Sequence, residues 1–132
     1  MAGETNLEKL LASMAPELLD GEYVFCTFPN ARYGDYAELE PVAAINEAEG
    51  LTLLIPKSTA DAHNYSYETA FKGISLSVHS SLAAVGLTAA FSTRLAEHGI
   101  SANVFAGYYH DHIFVQSELA QTAIAALNEI TR

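Results

Sequence analysis

The sequence is short of cysteine and of positive charge. Cys26 is the one cysteine in 132 residues, so no internal disulfide can form. That fits a reducing compartment. Lysine and arginine together number 6 against 16 aspartates and glutamates, for a net charge of −10 and an isoelectric point near 4.7. Such a chain repels phosphates, so nucleic acid and an anionic membrane surface are both poor partners. No apolar run approaches the roughly 20 residues that cross a bilayer. The opening MAGETNLEKLLASM carries acids where a signal peptide carries bases, and it has no continuous apolar core. Cytoplasm is the expected location. What the chain does have is apolar material: 50% of its residues are hydrophobic, enough for a folded core. Its length suits one ordinary domain or two very small ones.

Periodicity divides the chain into short elements. Thr5-Asn6-Leu7-Glu8 has the form of a capping box, followed by Leu7, Leu10, Leu11 and Met14 at helical spacing. Pro16 breaks that pattern and Asp20-Gly21 closes it. EYVFCTF (22–28) reads as a strand apolar on both faces. PNARYGDYAEL (29–39) is a loop, long for a compact domain, and long ordered loops are often functional. PVAAINEAEG and LTLLIP (41–56) form two strands joined at Glu49-Gly50, and Ser58 is placed to cap a short helix. Ile74, Leu76 and Val78 alternate with Ser75, Ser77 and His79, a strand with one greasy and one polar face. Leu87, Ala90, Phe91 and Leu95 mark an amphipathic helix, with Gly99 as its left-handed cap. ISANVFAGYY (100–109) and IFVQ (113–116) are strands. Ser117 then caps a last helix whose core face is Ala120, Ala123, Ile124, Leu127 and Ile130. LLIPKSTADA (53–62) and IFVQSELAQTA (113–123) share one organisation, apolar strand then helix, which suggests two related units.

Few side-chain groupings suggest chemistry. In YYHDHIFV (108–115), His110 and His112 point to one side of an extended chain and Asp111 to the other. A His-x-His pair supplies two ligands of a zinc or copper site, but the rest would have to come from His63, His79 or carboxylates. The plainer reading is a solvated turn between strands. His79-Ser80-Ser81 offers a base beside hydroxyls, yet there is no Gly-x-Ser-x-Gly elbow, and either serine serves as well as a helix cap. Cys26 sits in an apolar strand and reads as core. Glu47 and Glu49 read as solvated acids at a turn. HSSLAAVGLTAA (79–90) carries more. A strand ends and a helix begins at a glycine, and free amides at a helix N-terminus attract a carboxylate. Gly86 would let a ligand come close, or only let helix and strand pack tightly.

The order strand–helix–strand–strand–helix is that of a ferredoxin-like unit with one strand supplied from elsewhere. Residues 73–127 resemble an ACT domain, through Ile74, Leu76 and Val78, then Val85-Gly86-Leu87-Thr88, then Leu95-Ala96, Gly99-Ile100-Ser101 and Asn103. LLASMAPELLDGEYVFCTF and INEAEGLTLLIPKSTAD are similar to the leading part of small tandem ACT-like proteins, including the arginine-sensing ones of eukaryotes. The resemblance implies an α+β fold of two tandem ferredoxin-like units, with antiparallel sheets and helices on one face. An incomplete, divergent unit is expected over 1–71 and a fuller ACT domain over 72–132. It implies that Val85, Gly86 and Leu87 present backbone amides to an amino acid's carboxylate. Asn103 would meet its polar groups, and Asp111 would accept from its amino group. It further implies a non-enzymatic regulatory module, without metal or cofactor, that pairs with a second copy or a protein partner. A dimerisation module with no small ligand is the alternative, and a metal-dependent enzyme using His110 and His112 a more remote one.

Overall fold

The computed structural model describes residues 15–76 and 87–130. In chain order the elements are β1 (Pro16–Leu18), β2 (Tyr23–Pro29), β3 (Tyr33–Tyr36), a 3-10 turn (Ala37–Leu39), β4 (Ala43–Glu47) and β5 (Gly50–Pro56). Then come α1 (Lys57–Ala62), β6 (Phe71–Leu76), α2 (Leu87–Glu97), β7 (Asn103–Ala106), β8 (Asp111–Gln116), a second 3-10 turn (Ser117–Leu119) and α3 (Ala120–Ile130). The described residues fall into two compact units. A middle unit runs from Gly21 to Phe71, and a terminal unit joins β1 to the elements from Lys72 onward. The capping box at Thr5–Glu8 lies outside the described residues, as do Val78, His79, Ser80 and Ser81. No helix among the described residues is long and apolar enough to cross a membrane.

The middle unit is built on β5, which pairs antiparallel with β2 on one edge and β4 on the other. Tyr23 of β2 also meets Phe71, and Phe25 packs edge-on against the Phe71 ring at 5.2 Å. The register sets Val24 opposite Ile55, Cys26 opposite Leu53 and Phe28 opposite Leu51. Directly opposed residues share a face, so these six side chains form one apolar layer. Thr27 on the other face is exposed, so β2 is less evenly apolar than its sequence suggests. α1 packs on β2 and β5 and buries Ala60. Its cap differs from the expected one. The helix starts at Lys57 after Pro56, Ser58 lies inside it, and no side chain caps it. The Lys57 amide donates instead to the Glu22 carbonyl at 2.9 Å, which removes the need for a serine.

The terminal unit orders its strands β1-β6-β8-β7. β1 pairs antiparallel with β6, Leu18 opposite Ile74, so the strand missing from the order β6-α2-β7-β8-α3 comes from the other end of the chain. Ile74, Leu76, Ile113 and Val115 supply the sheet's side of the core, and α2 and α3 cover it with Phe91, Leu95, Ala123, Ala126 and Leu127. Small alanines on α3 let the helix approach closely. α2 ends as its sequence implies. Gly99 takes φ 73°, its amide donates to Ala96 and the Ile100 amide donates to Leu95. These two bonds define a Schellman motif, and Ile100 is buried in the same cluster as Leu95. Ser117 does not cap α3. A 3-10 turn intervenes, and the Ser117 hydroxyl is buried without a hydrogen-bond partner among the described residues.

The two units share one local device. Pro56 before α1 has φ −57° and ψ 138°; Gln116 before the Ser117–Leu119 turn has φ −54° and ψ 137°. Four residues later, Ala60 and Ala120 are both buried. The echo between residues 53–62 and 113–123 is therefore an echo of backbone geometry. Each unit is ferredoxin-like. The middle one lacks a helix in its first crossover, where residues 30–42 hold β3 and a 3-10 turn instead.

Candidate functional site

β7 and β8 are antiparallel, with Ala106 opposite Asp111 and Asn103 opposite Phe114. In a ferredoxin-like unit α2 carries the chain back along the sheet, so β7 runs parallel to β6. The end of β6, the start of α2 and the β7–β8 turn therefore share one end of the terminal unit. Val85 and Gly86 lie outside the described residues. Leu87 is the first described residue of α2; the first turn of a helix carries the positive end of its dipole.

Asp111 opens β8 at this same end. Strand parity puts it on the face of Ile113 and Val115, the face that the helices cover. It is partly buried. Desolvation pushes its carboxyl up from the ordinary carboxylate value, and the neighbouring His112 pulls it partly back. Among the described residues its side chain has no hydrogen-bond partner. A half-buried carboxylate with no hydrogen-bond partner among the described residues is uncommon in a small fold.

Asn103 goes elsewhere. It shares the opposite face of the β7–β8 ribbon with Phe105, His112 and Phe114. Its side-chain amide donates to the Phe114 carbonyl at 3.1 Å, clamping the two strands. The structure thus brings Asp111 to the α2 end of the unit and turns Asn103 away from it. His110 lies in the turn, exposed, where the Gly107 amide donates to its carbonyl at 2.9 Å. The His110 and His112 rings stand 6.2 Å apart, centroid to centroid. Among the described residues no three His, Cys, Asp or Glu side chains gather as metal ligands would. Cys26 is 3% exposed and burial pushes its thiol up, away from the reactive thiolate.

A second concavity was hinted at only by loop length. In the middle unit Tyr33, Gly34, Asp35, Ala37 and residues 41–44 line an open pocket of about 360 Å³, with the buried Leu51 and Leu53 behind it. The surrounding chain is unusual. Asn30, Tyr36 and Glu40 all have positive φ, at 67°, 63° and 51°. Such conformations cost non-glycine residues about 1–3 kcal/mol each and persist only where packing enforces them. Here Tyr36 stacks on Phe28 with centroids 4.2 Å apart, and Leu39 is buried in the same core.

The fold defines a class, a tandem ferredoxin-like module. Residues 2–72 match one ACT-domain family model and residues 71–129 another. The chain belongs to the ACT-domain family. ACT domains are typically regulatory, amino-acid-binding modules. The chain is similar to a protein of unknown function from Vibrio cholerae, with 56% sequence identity, a TM-score of 0.86 and 96% of each chain covered. It also shares its fold with a protein from Agrobacterium tumefaciens at 12% identity, TM-score 0.75 and 89% of each chain. The regulatory subunit of aspartate kinase from Thermus thermophilus is another fold relative, at 11% identity and TM-score 0.62, with 92% of this chain and 99% of that one covered. None of the curated proteins matches.

Proposed function

We propose that the protein is a non-enzymatic regulatory module that binds a free amino acid at the α2 end of its terminal unit. The amides of Val85, Gly86 and Leu87 take the ligand's carboxylate, and Asp111 takes its ammonium group. The observation that carries this reading is Asp111 itself, partly buried on the helix-covered face with no partner among the described residues. A ligand ammonium would relieve that cost. Helix-end amides and a carboxylate at one end of a sheet match the two charges of a zwitterion. Asn103 contributes indirectly, by holding β7 to β8. The module works in the cytoplasm and passes ligand occupancy to a second copy or a protein partner.

A thermal-shift screen against the common amino acids tests the proposal. A ligand present at about a hundredfold over its Kd adds about 2.7 kcal/mol of stability. The stabilising ligand should lose its effect on Asp111→Asn and on Gly86→Val. If no amino acid at millimolar concentration moves the melting temperature, the reading fails.

A further inference from the structure

The middle unit carries a separate cavity, apart from the proposed amino-acid site. Its accessible lining is Ala37, the 41–44 strand entry and the Tyr33–Asp35 segment, with the buried Leu51 and Leu53 behind them. At about 360 Å³ it falls at the small end of ligand pockets, room for a metabolite of amino-acid size and not for a nucleotide. Tyr33 stands at its mouth, 78% exposed, as large aromatic side chains seldom are without a partner.

The polar chemistry at this cavity has one sign. Asp35 is the only charged residue in its lining. One Asp35 oxygen accepts from the Arg32 backbone amide at 2.9 Å. The Arg32 guanidinium turns away, donating to the carbonyls of Ala31 at 3.1 Å and Glu47 at 3.0 Å. Among the described residues no cationic side chain pairs with Asp35. The Tyr33 amide is fixed on the Asn46 side chain at 2.8 Å, so the segment carrying Asp35 is tied to β4 at its Arg32–Tyr33 end. On a chain of net charge −10, with no cation in the lining, an anionic ligand is disfavoured.

We infer that this cavity is a second ligand site, specific for a small primary amine with a branched hydrocarbon tail. The tail lies along Pro41, Val42 and Ala44, and the ammonium group bonds the free oxygen of Asp35. The site selects against the corresponding amino acid, because no cationic side chain in the lining would receive its carboxylate.

Titration calorimetry on the full chain tests this with three probes of one carbon skeleton: isoamylamine, leucine and isocaproate. The amine should bind at least tenfold more tightly than either of the others. Asp35→Asn keeps an acceptor for the Arg32 amide and should weaken amine binding tenfold or more. Ala37→Leu, at an exposed position, should fill the cavity and abolish binding with the circular-dichroism spectrum and melting temperature kept. Amine binding should survive Asp111→Asn, which separates this site from the one in the terminal unit. Equal binding of amine and isocaproate would overturn the inference, as would amine binding indifferent to both Asp35→Asn and Ala37→Leu. No amine binding at all at millimolar concentration would overturn it too.

Discussion

Asp111 is the residue at which the fold and the proposed function pull in different directions. Its carboxyl is raised by burial, so the folded state holds the proton more tightly than the unfolded chain. The sign follows by linkage. The residue favours folding at acid pH, and that contribution fades as pH rises through the raised folded value. At neutral pH the charged carboxylate opposes folding. Asp111→Asn should therefore melt at the same temperature or higher at pH 7, and its stability should vary less with mildly acid pH. A lower melting temperature at pH 7 would mean that Asp111 serves the fold and not a ligand. Cys26 gives the opposite case. Buried among Val24, Phe28 and Leu53, it should react with a thiol-specific reagent only as fast as the middle unit opens. Rapid labelling of the native protein would contradict the burial.

At the scale of elements, two glycines that look alike in sequence differ in consequence. Gly99 ends α2 at φ 73° and an added Cβ would meet nothing within 4 Å. Gly99→Ala should cost only the left-handed backbone penalty, about 1–2 kcal/mol. Gly50 opens β5 at φ 147°, and an added Cβ would lie 2.5 Å from the Phe28 carbonyl oxygen. Gly50→Ala should cost clearly more in denaturant titration, because strain and clash add. Helix α3 depends on its buried face, so Leu127→Ala should cost about 2–5 kcal/mol. The same scale shows why boundaries were less legible than elements. Strands at 23–28 and 50–56 and the helices at 87–97 and 120–130 follow from apolar period alone. The caps at Ser58 and Ser117 did not, because Pro56 and Gln116 in extended conformation start both helical segments and a neighbouring strand's carbonyl takes the Lys57 amide. A tertiary partner replaced a local one.

For the whole molecule, 16 acids against 6 bases make self-repulsion a standing term. Among the described residues the ion pairs that offset it lie at the surface: Lys57 with Asp61 at 2.9 Å, and Arg94 shared between Glu97 and Glu129. Exposed pairs contribute about 0–1 kcal/mol. Raising salt from about 10 to 300 mM should screen repulsion more than attraction, and the melting temperature should rise. A fall would show that the surface pairs outweigh the net charge. The sequence by itself determined the class of fold, because buried strands and helices impose periods that any reader of hydrophobicity can find. It also marked Gly86 as a place where backbone comes close to a neighbour, because glycine is a local mark; Asp111 entered only through the resemblance to ACT domains. Tertiary structure alone decided which strand completes the terminal unit, which face each of Asn103 and Asp111 occupies, and that the 30–42 crossover lines an open pocket and holds no α-helix. Those depend on pairing register and on left-handed residues held by distant packing, which no local period encodes.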